Sequence, residues 1–115
     1  MSRRILSVSR DTRLLVTRND VLAAAGYAVS SPRHPEEARY LLSRGGFSAV
    51  VIGHSIRPDQ RKTIIDELRG IDREVPIVYV YVPPGDANEP LADLSVDVSD
   101  PVNLVKALEE KLPAR

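Results

Sequence analysis

The stretch Phe47-Ser48-Ala49-Val50-Val51-Ile52-Gly53-His54-Ser55 decides the fold. Its apolar core, Ala49-Val50-Val51-Ile52, shows no polar alternation, which is the pattern of a strand buried on both faces in a parallel sheet. Open α/β sheets place their ligands at the carboxyl ends of such strands. Here that end is Gly53, which has no side chain to ionise, accept a phosphoryl group or hold a metal.

On either side, strand-like runs alternate with runs of helical period. Ile5-Leu6-Ser7-Val8 reads as the first strand, and Asp11 as the N-cap of a helix reaching about Ala25. Leu14, Leu15, Val21, Leu22 and Ala25 form that helix's apolar stripe, and Gly26 stops it. Residues 27–30 make a short second strand. Pro35 opens a second helix at a favoured first position, with Glu36 and Glu37 complementing its positive end. Ala38, Leu41 and Leu42 face inward, and Gly45-Gly46 ends the helix.

After the third strand, residues 47–52, Pro58-Asp59 begins a helix carrying Ile64, Ile65, Leu68 and Ile71. Residues 76–82 are the fourth strand and residues 94–98 the fifth. Between them, Pro83-Pro84-Gly85-Asp86-Ala87-Asn88-Glu89-Pro90 excludes a regular helix, because proline removes donors and glycine favours turns. Asp100-Pro101 caps a last helix with Val102, Val105, Leu108 and Leu112 at helical spacing, and Pro113 ends it. Strand–helix alternation with short connections forces parallel strands and right-handed crossovers. The expected fold is one small doubly wound domain over residues 1–115, with a five-stranded parallel sheet.

Composition narrows the function classes. Sixteen basic and 16 acidic residues cancel, which argues against a nucleic-acid binder, since that needs a basic face. Arg3, Arg4, Arg10, Arg13 and Arg18 crowd the first segment and read as a solvated face. With no cysteine, disulfides, thiolate metal sites and a Cys nucleophile are excluded. The amino terminus shows no apolar signal region. The longest strongly apolar run, residues 75–82, is far short of the roughly 20 residues that span a bilayer. The expectation is a cytoplasmic protein.

In order and spacing, the chain resembles a response-regulator receiver domain of bacterial two-component signalling. The resemblance rests on Ile5-Leu6-Ser7-Val8-Ser9-Arg10-Asp11, Leu22-Ala23-Ala24-Ala25-Gly26-Tyr27-Ala28-Val29, Phe47-Ser48-Ala49-Val50-Val51-Ile52, Pro76-Ile77-Val78-Tyr79-Val80 and Asp100-Pro101-Val102-Asn103-Leu104. It implies positions for the family's chemistry: the two Mg²⁺-binding carboxylates fall on Ser9 and Arg10, and the phospho-acceptor on Gly53. The family's Ser or Thr falls on Tyr81 and its Lys near Asp97. None of those residue types is kept. Independently, Mg²⁺ demands hard oxygen ligands, and Arg10 brings positive charge where a cation would sit. The resemblance therefore implies a flavodoxin-like sheet in the order 2-1-3-4-5, with the helix between strands 4 and 5 reduced to a loop. It implies that fold without the phosphorylation: a degenerate pseudo-receiver needing no cofactor and no metal.

The candidate ligand or partner site is Ser9, Arg10, His54, Ser55 and Tyr81 at the carboxyl edge, where Arg10 with Arg57 would hold an anion. Alternatively, Arg10 fills the vacated pocket by pairing with Asp11 or Asp59. His54 is a candidate general base, sharing a site with His34 if their loops meet, or it bonds a loop backbone. Tyr79 and Tyr81 share one strand face. With the intervening helix gone, they and nearby Val78 or Val80 form an apolar interaction face, or they pack beneath the loop. Gly45-Gly46 lacks the Lys of a phosphate loop, and no nucleophile elbow or dinucleotide fingerprint is present.

The expected function is a stand-alone, phosphorylation-independent, receiver-like domain. It would act in signalling through an unknown protein partner, with self-association through the strand-four or strand-five face and the last helix. No nucleic-acid or membrane partner is expected. The alternative is a small-ligand or anion sensor at the carboxyl edge. An enzyme is the least expected class.

Overall fold

The computed structural model describes residues 3–112. The elements are β1 (Arg4–Val8), α1 (Thr12–Ala24), β2 (Ala28–Ser30), a 3₁₀ turn (Pro35–Glu37) running into α2 (Ala38–Ser43), β3 (Phe47–Gly53), α3 (Pro58–Ile71), β4 (Ile77–Tyr81), β5 (Leu94–Asp97) and α4 (Val102–Lys111). All neighbouring strands pair in parallel, in the order β2-β1-β3-β4-β5. The wound sheet expected from the strand–helix alternation is the one formed, and residues 82–93 contain no helix.

Local signals act as expected at several ends. The Asp11 carboxylate accepts from the Leu14 N–H and caps α1. Gly26 leaves α1 at φ 98°, a conformation that glycine adopts without a Cβ penalty. Pro58 takes the first turn of α3. Asp100 accepts from the Val102 N–H, but the N-cap of α4 is Pro101, one residue later than the expected Asp100. The Pro113 stop lies outside the described residues.

Two apolar layers flank the sheet. On one side, α2 and α3 bury Leu42, Ile64, Ile65 and Leu68 against Leu6, Val8, Val50, Ile52 and Ile77. On the other, α1 and α4 bury Leu22, Leu104 and Leu108 against Ile5, Val51, Val78 and Val80. The inward face of α1 differs from the expected stripe. Its buried residues are Arg18 and Leu22, whereas Leu14 is 40% exposed and Ala25 faces solvent. Leu14, Arg18 and Leu22 follow one another at i, i+4, so an inward-turned Leu22 carries Arg18 beneath the helix with it.

The segment after β4, residues 82–93, seals its side of the sheet with polar chemistry. Glu89 turns inward and pairs with Arg61 of α3 at 2.5 Å, both side chains being about 95% buried. Arg61 also donates to the Ile56 carbonyl at 2.6 Å and lies 4.5 Å above the Tyr79 ring. Tyr79 donates its hydroxyl proton to the Asp86 carbonyl at 2.6 Å. Leu91 and Ala92 pack on the α2/α3 core. Asp93 ties the end of the segment to β4 and α3, accepting from the Ile77 N–H and from Arg69, each at 2.7 Å.

The apolar interaction face anticipated at Tyr79 and Tyr81 is therefore not open. Tyr79 is 1% exposed under the loop, and Val78 and Val80 point into the opposite layer. Tyr81 is half-buried and stacks on Tyr79, with centroids 6.0 Å apart.

Candidate functional site

The site forms where α1 crosses the carboxyl ends of β1 and β3. Arg18 reaches inward and is 9% exposed. Its Nη1 donates to the Ser7 hydroxyl at 3.1 Å and to the Val8 carbonyl at 3.0 Å. Its Nη2 lies over Gly53, and a Cβ at residue 53 would sit 2.6 Å from it. Gly53 is thus the space that admits the guanidinium. No carboxylate among the described residues pairs with Arg18, and its Nε and Nη2 have no protein acceptor. Burial pushes this guanidinium down to about 10, so it is still a cation at neutral pH.

A cavity of about 120 Å³ adjoins it. Leu14 and Val21 of α1, Val80 and Val82 around the end of β4, Val98 beyond β5 and Leu104 of α4 form its apolar wall. Arg18 and His54 are its ionisable members, with Thr17 and Pro101 completing the lining. His54 is fixed by its own backbone, which donates to the Val80 carbonyl at 3.0 Å.

Comparison with solved structures gives the likeness. Chemotaxis protein CheY4 of Vibrio cholerae superposes with a TM-score of 0.81 over 97% of this chain and 100% of its own, at 16% identity. A CheY-like receiver domain protein of Methanospirillum hungatei gives 0.81 over 96% and 94%, at 18% identity. A receiver protein of Sinorhizobium medicae gives 0.75 over 95% and 93%, at 21% identity. The fold is that of CheY-like receiver domains. No protein-family model and no curated protein matches the chain.

Against this receiver fold, the residues expected to form one edge site divide into four groups. Ser9 and Ser55 are hydrogen-bonded at 2.9 Å, and the Ser55 hydroxyl also accepts from the Arg10 N–H at 3.0 Å. Together they pin the loop after β1 to the loop after β3. The Arg10 side chain leaves the edge, pairing with Glu36 and bonding Gln60 at 3.1 Å. It neither fills the receiver pocket nor pairs with Asp11 or Asp59. Asp59 instead pairs with Arg57 at 3.2 Å on the surface.

His54 joins the cavity on the α1/α4 side, while Tyr81 lies with Tyr79 on the α3 side. His34 is exposed ahead of the 3₁₀ turn and does not line the cavity with His54. Asp97, the position matched to the receiver lysine, accepts from the Ser99 N–H and hydroxyl, and those bonds hold its carboxyl below the usual range.

Arg18 was assigned to a solvated basic face by its charge, yet it is the residue that occupies the pocket. One signal in the sequence pointed to it: it falls between Leu14 and Leu22 at i, i+4 spacing, inside the apolar stripe. Among the described residues, no group of three His, Cys, Asp or Glu side chains comes together, and no helix is long and apolar enough to cross a membrane.

Proposed function

We propose that this chain is a receiver-like signalling domain that works without phosphorylation, by contact with a protein partner, and is not an enzyme. The receiver-domain fold suggests two-component signalling. One observation carries the rest: the Arg18 guanidinium stands over Gly53, in the volume that any side chain at residue 53 would have to enter. A buried cation at that point opposes Mg²⁺ and disfavours a divalent-metal-assisted phosphoryl transfer by simple repulsion. Ser9 and Arg10 add no carboxylate. A folded surface carries a signal without chemistry of its own.

The test is incubation with acetyl phosphate, or with beryllofluoride and Mg²⁺, followed by intact-mass and amide NMR spectra. An unmodified mass and unshifted amides are expected. A stoichiometric acid-labile phosphoprotein overturns the proposal. Self-association is part of the same proposal, through the β5 edge and α4, where Val102 is 42% exposed. Light scattering at high concentration should give a dimer mass, and a monomer there removes that element.

A further inference from the structure

We propose that the cavity beside Arg18 binds a small organic monocarboxylate with a compact apolar body. The inference goes beyond phosphorylation independence and does not rest on it. Three features fix the chemical class.

The first is the unspent half of a buried guanidinium. Arg18 anchors itself through Nη1 alone, which leaves Nε and Nη2 as donors for a planar, bidentate acceptor. Buried charges are ordinarily paired, and the other buried arginine of this protein is paired with Glu89. Arg18 lacks that acid, so the carboxylate has to come from outside the described chain.

The second is the wall. Apart from Arg18, His54 and Thr17, the lining is aliphatic side chains and a proline. That excludes sugars and nucleotides, whose many polar groups would be left unbonded. It also disfavours phosphate: one guanidinium does not balance a dianion. The start of α4 does not help either, because the Val102 and Asn103 N–H groups are already taken by Asp100 and the Leu104 N–H by the Pro101 carbonyl.

The third is size. A cavity of about 150 Å³ holds benzene, so 120 Å³ takes a body of about four to six carbons. Leu14 and Pro101 are exposed, forming the rim through which it enters. The fitting molecules are branched short-chain acids and benzoate-like acids. Their carboxylate meets Arg18, and their carbons meet Val80, Val98 and Leu104.

The experiment titrates the full chain with benzoate and 3-methylbutanoate, and in parallel with benzamide and inorganic phosphate. Binding is read from amide, Arg side-chain and methyl NMR shifts. Saturation with a dissociation constant of about 1 mM or tighter is expected for the two acids, with shifts centred on Arg18, Val80, Val98 and Leu104. Benzamide keeps the shape without the charge and should bind at least about tenfold more weakly. Arg18→Met should abolish acid binding. Val98→Phe, which fills the cavity and leaves Arg18 in place, should abolish it too and serves if Arg18→Met fails to fold.

The proposal is overturned by absence of saturation, by equal binding of benzamide, by a shift pattern away from the cavity, or by phosphate binding as well as the acids. Any of these leaves the acetyl phosphate result standing, so the two proposals fail separately.

Discussion

Among the described residues two arginines are buried, one on each side of the same sheet, and they are held in opposite ways. Arg61 has its acid, Glu89, a carbonyl acceptor and an aromatic ring beneath it. Arg18 has a hydroxyl and one carbonyl on a single nitrogen, a glycine beneath it and a cavity beside it. The first arrangement closes a surface: an ion pair holds a helix-free loop against the sheet. The second leaves a charge and a space, which is what a binding site requires. A buried cation is thus structural or functional according to whether the chain itself supplies the counter-charge.

The contrast is open to direct attack. The largest effect is expected from Glu89→Ala, which strands the Arg61 charge and should cost about 3–5 kcal/mol in chemical denaturation. A loss below about 1 kcal/mol would mean that the pair does not hold the loop. Gly53→Ala should cost about 1–2 kcal/mol, because the new Cβ displaces the Arg18 tip from its seat. The accompanying change should appear in the Arg18 side-chain NMR signals.

The double variant Arg61→Met with Glu89→Leu removes both charges and should lie within about 1 kcal/mol of the parent, far from the sum of two single losses. Arg18→Met should also change stability by less than about 1 kcal/mol. It relieves an unpaired buried charge while leaving the Ser7 hydroxyl and the Val8 carbonyl without their donor. Were it to cost as much as Glu89→Ala, Arg18 would be a structural residue and the comparison would fail.

The smallest effect concerns Asp93. Burial pulls its carboxyl pKa up, but the bonds from Arg69 and the Ile77 N–H outweigh burial and hold it below the usual value. Its contribution is therefore full above the ordinary Asp range and lost as pH falls through the depressed folded value. The stability difference between the parent and Asp93→Asn should shrink on acidification. A difference that stays constant with pH would remove Asp93 as an anchor.

Much of this fold was legible residue by residue. The Ala49–Ile52 run needed no partner information to read as a doubly covered strand, and Asp11, Gly26 and Pro58 marked helix ends through local backbone chemistry. The prolines after β4 excluded a helix whatever the surroundings. The candidate site was legible only in its outline. His54 was placed at the right edge, but Arg10 was aimed wrongly, since Glu36 and Gln60 that draw it away are distant in sequence. The sequence leaves Tyr79 open between surface and core, because only the folded loop brings the Asp86 carbonyl and Arg61 against it.

Arg18 and Arg61 show where the boundary runs. Each sits inside a helical apolar stripe, Leu14–Arg18–Leu22 in α1 and Arg61–Ile64–Ile65–Leu68 in α3, so their inward placement is written in the helical period. Strand content, the helix-free segment after β4 and the absent side chain at residue 53 follow from such short-range pattern. What became of each guanidinium was settled by tertiary structure, through Glu89 meeting Arg61 from 28 residues away and no acid among the described residues meeting Arg18. Periodicity fixes the direction in which a side chain points. Its counter-charge depends on which distant segment the fold lays against it.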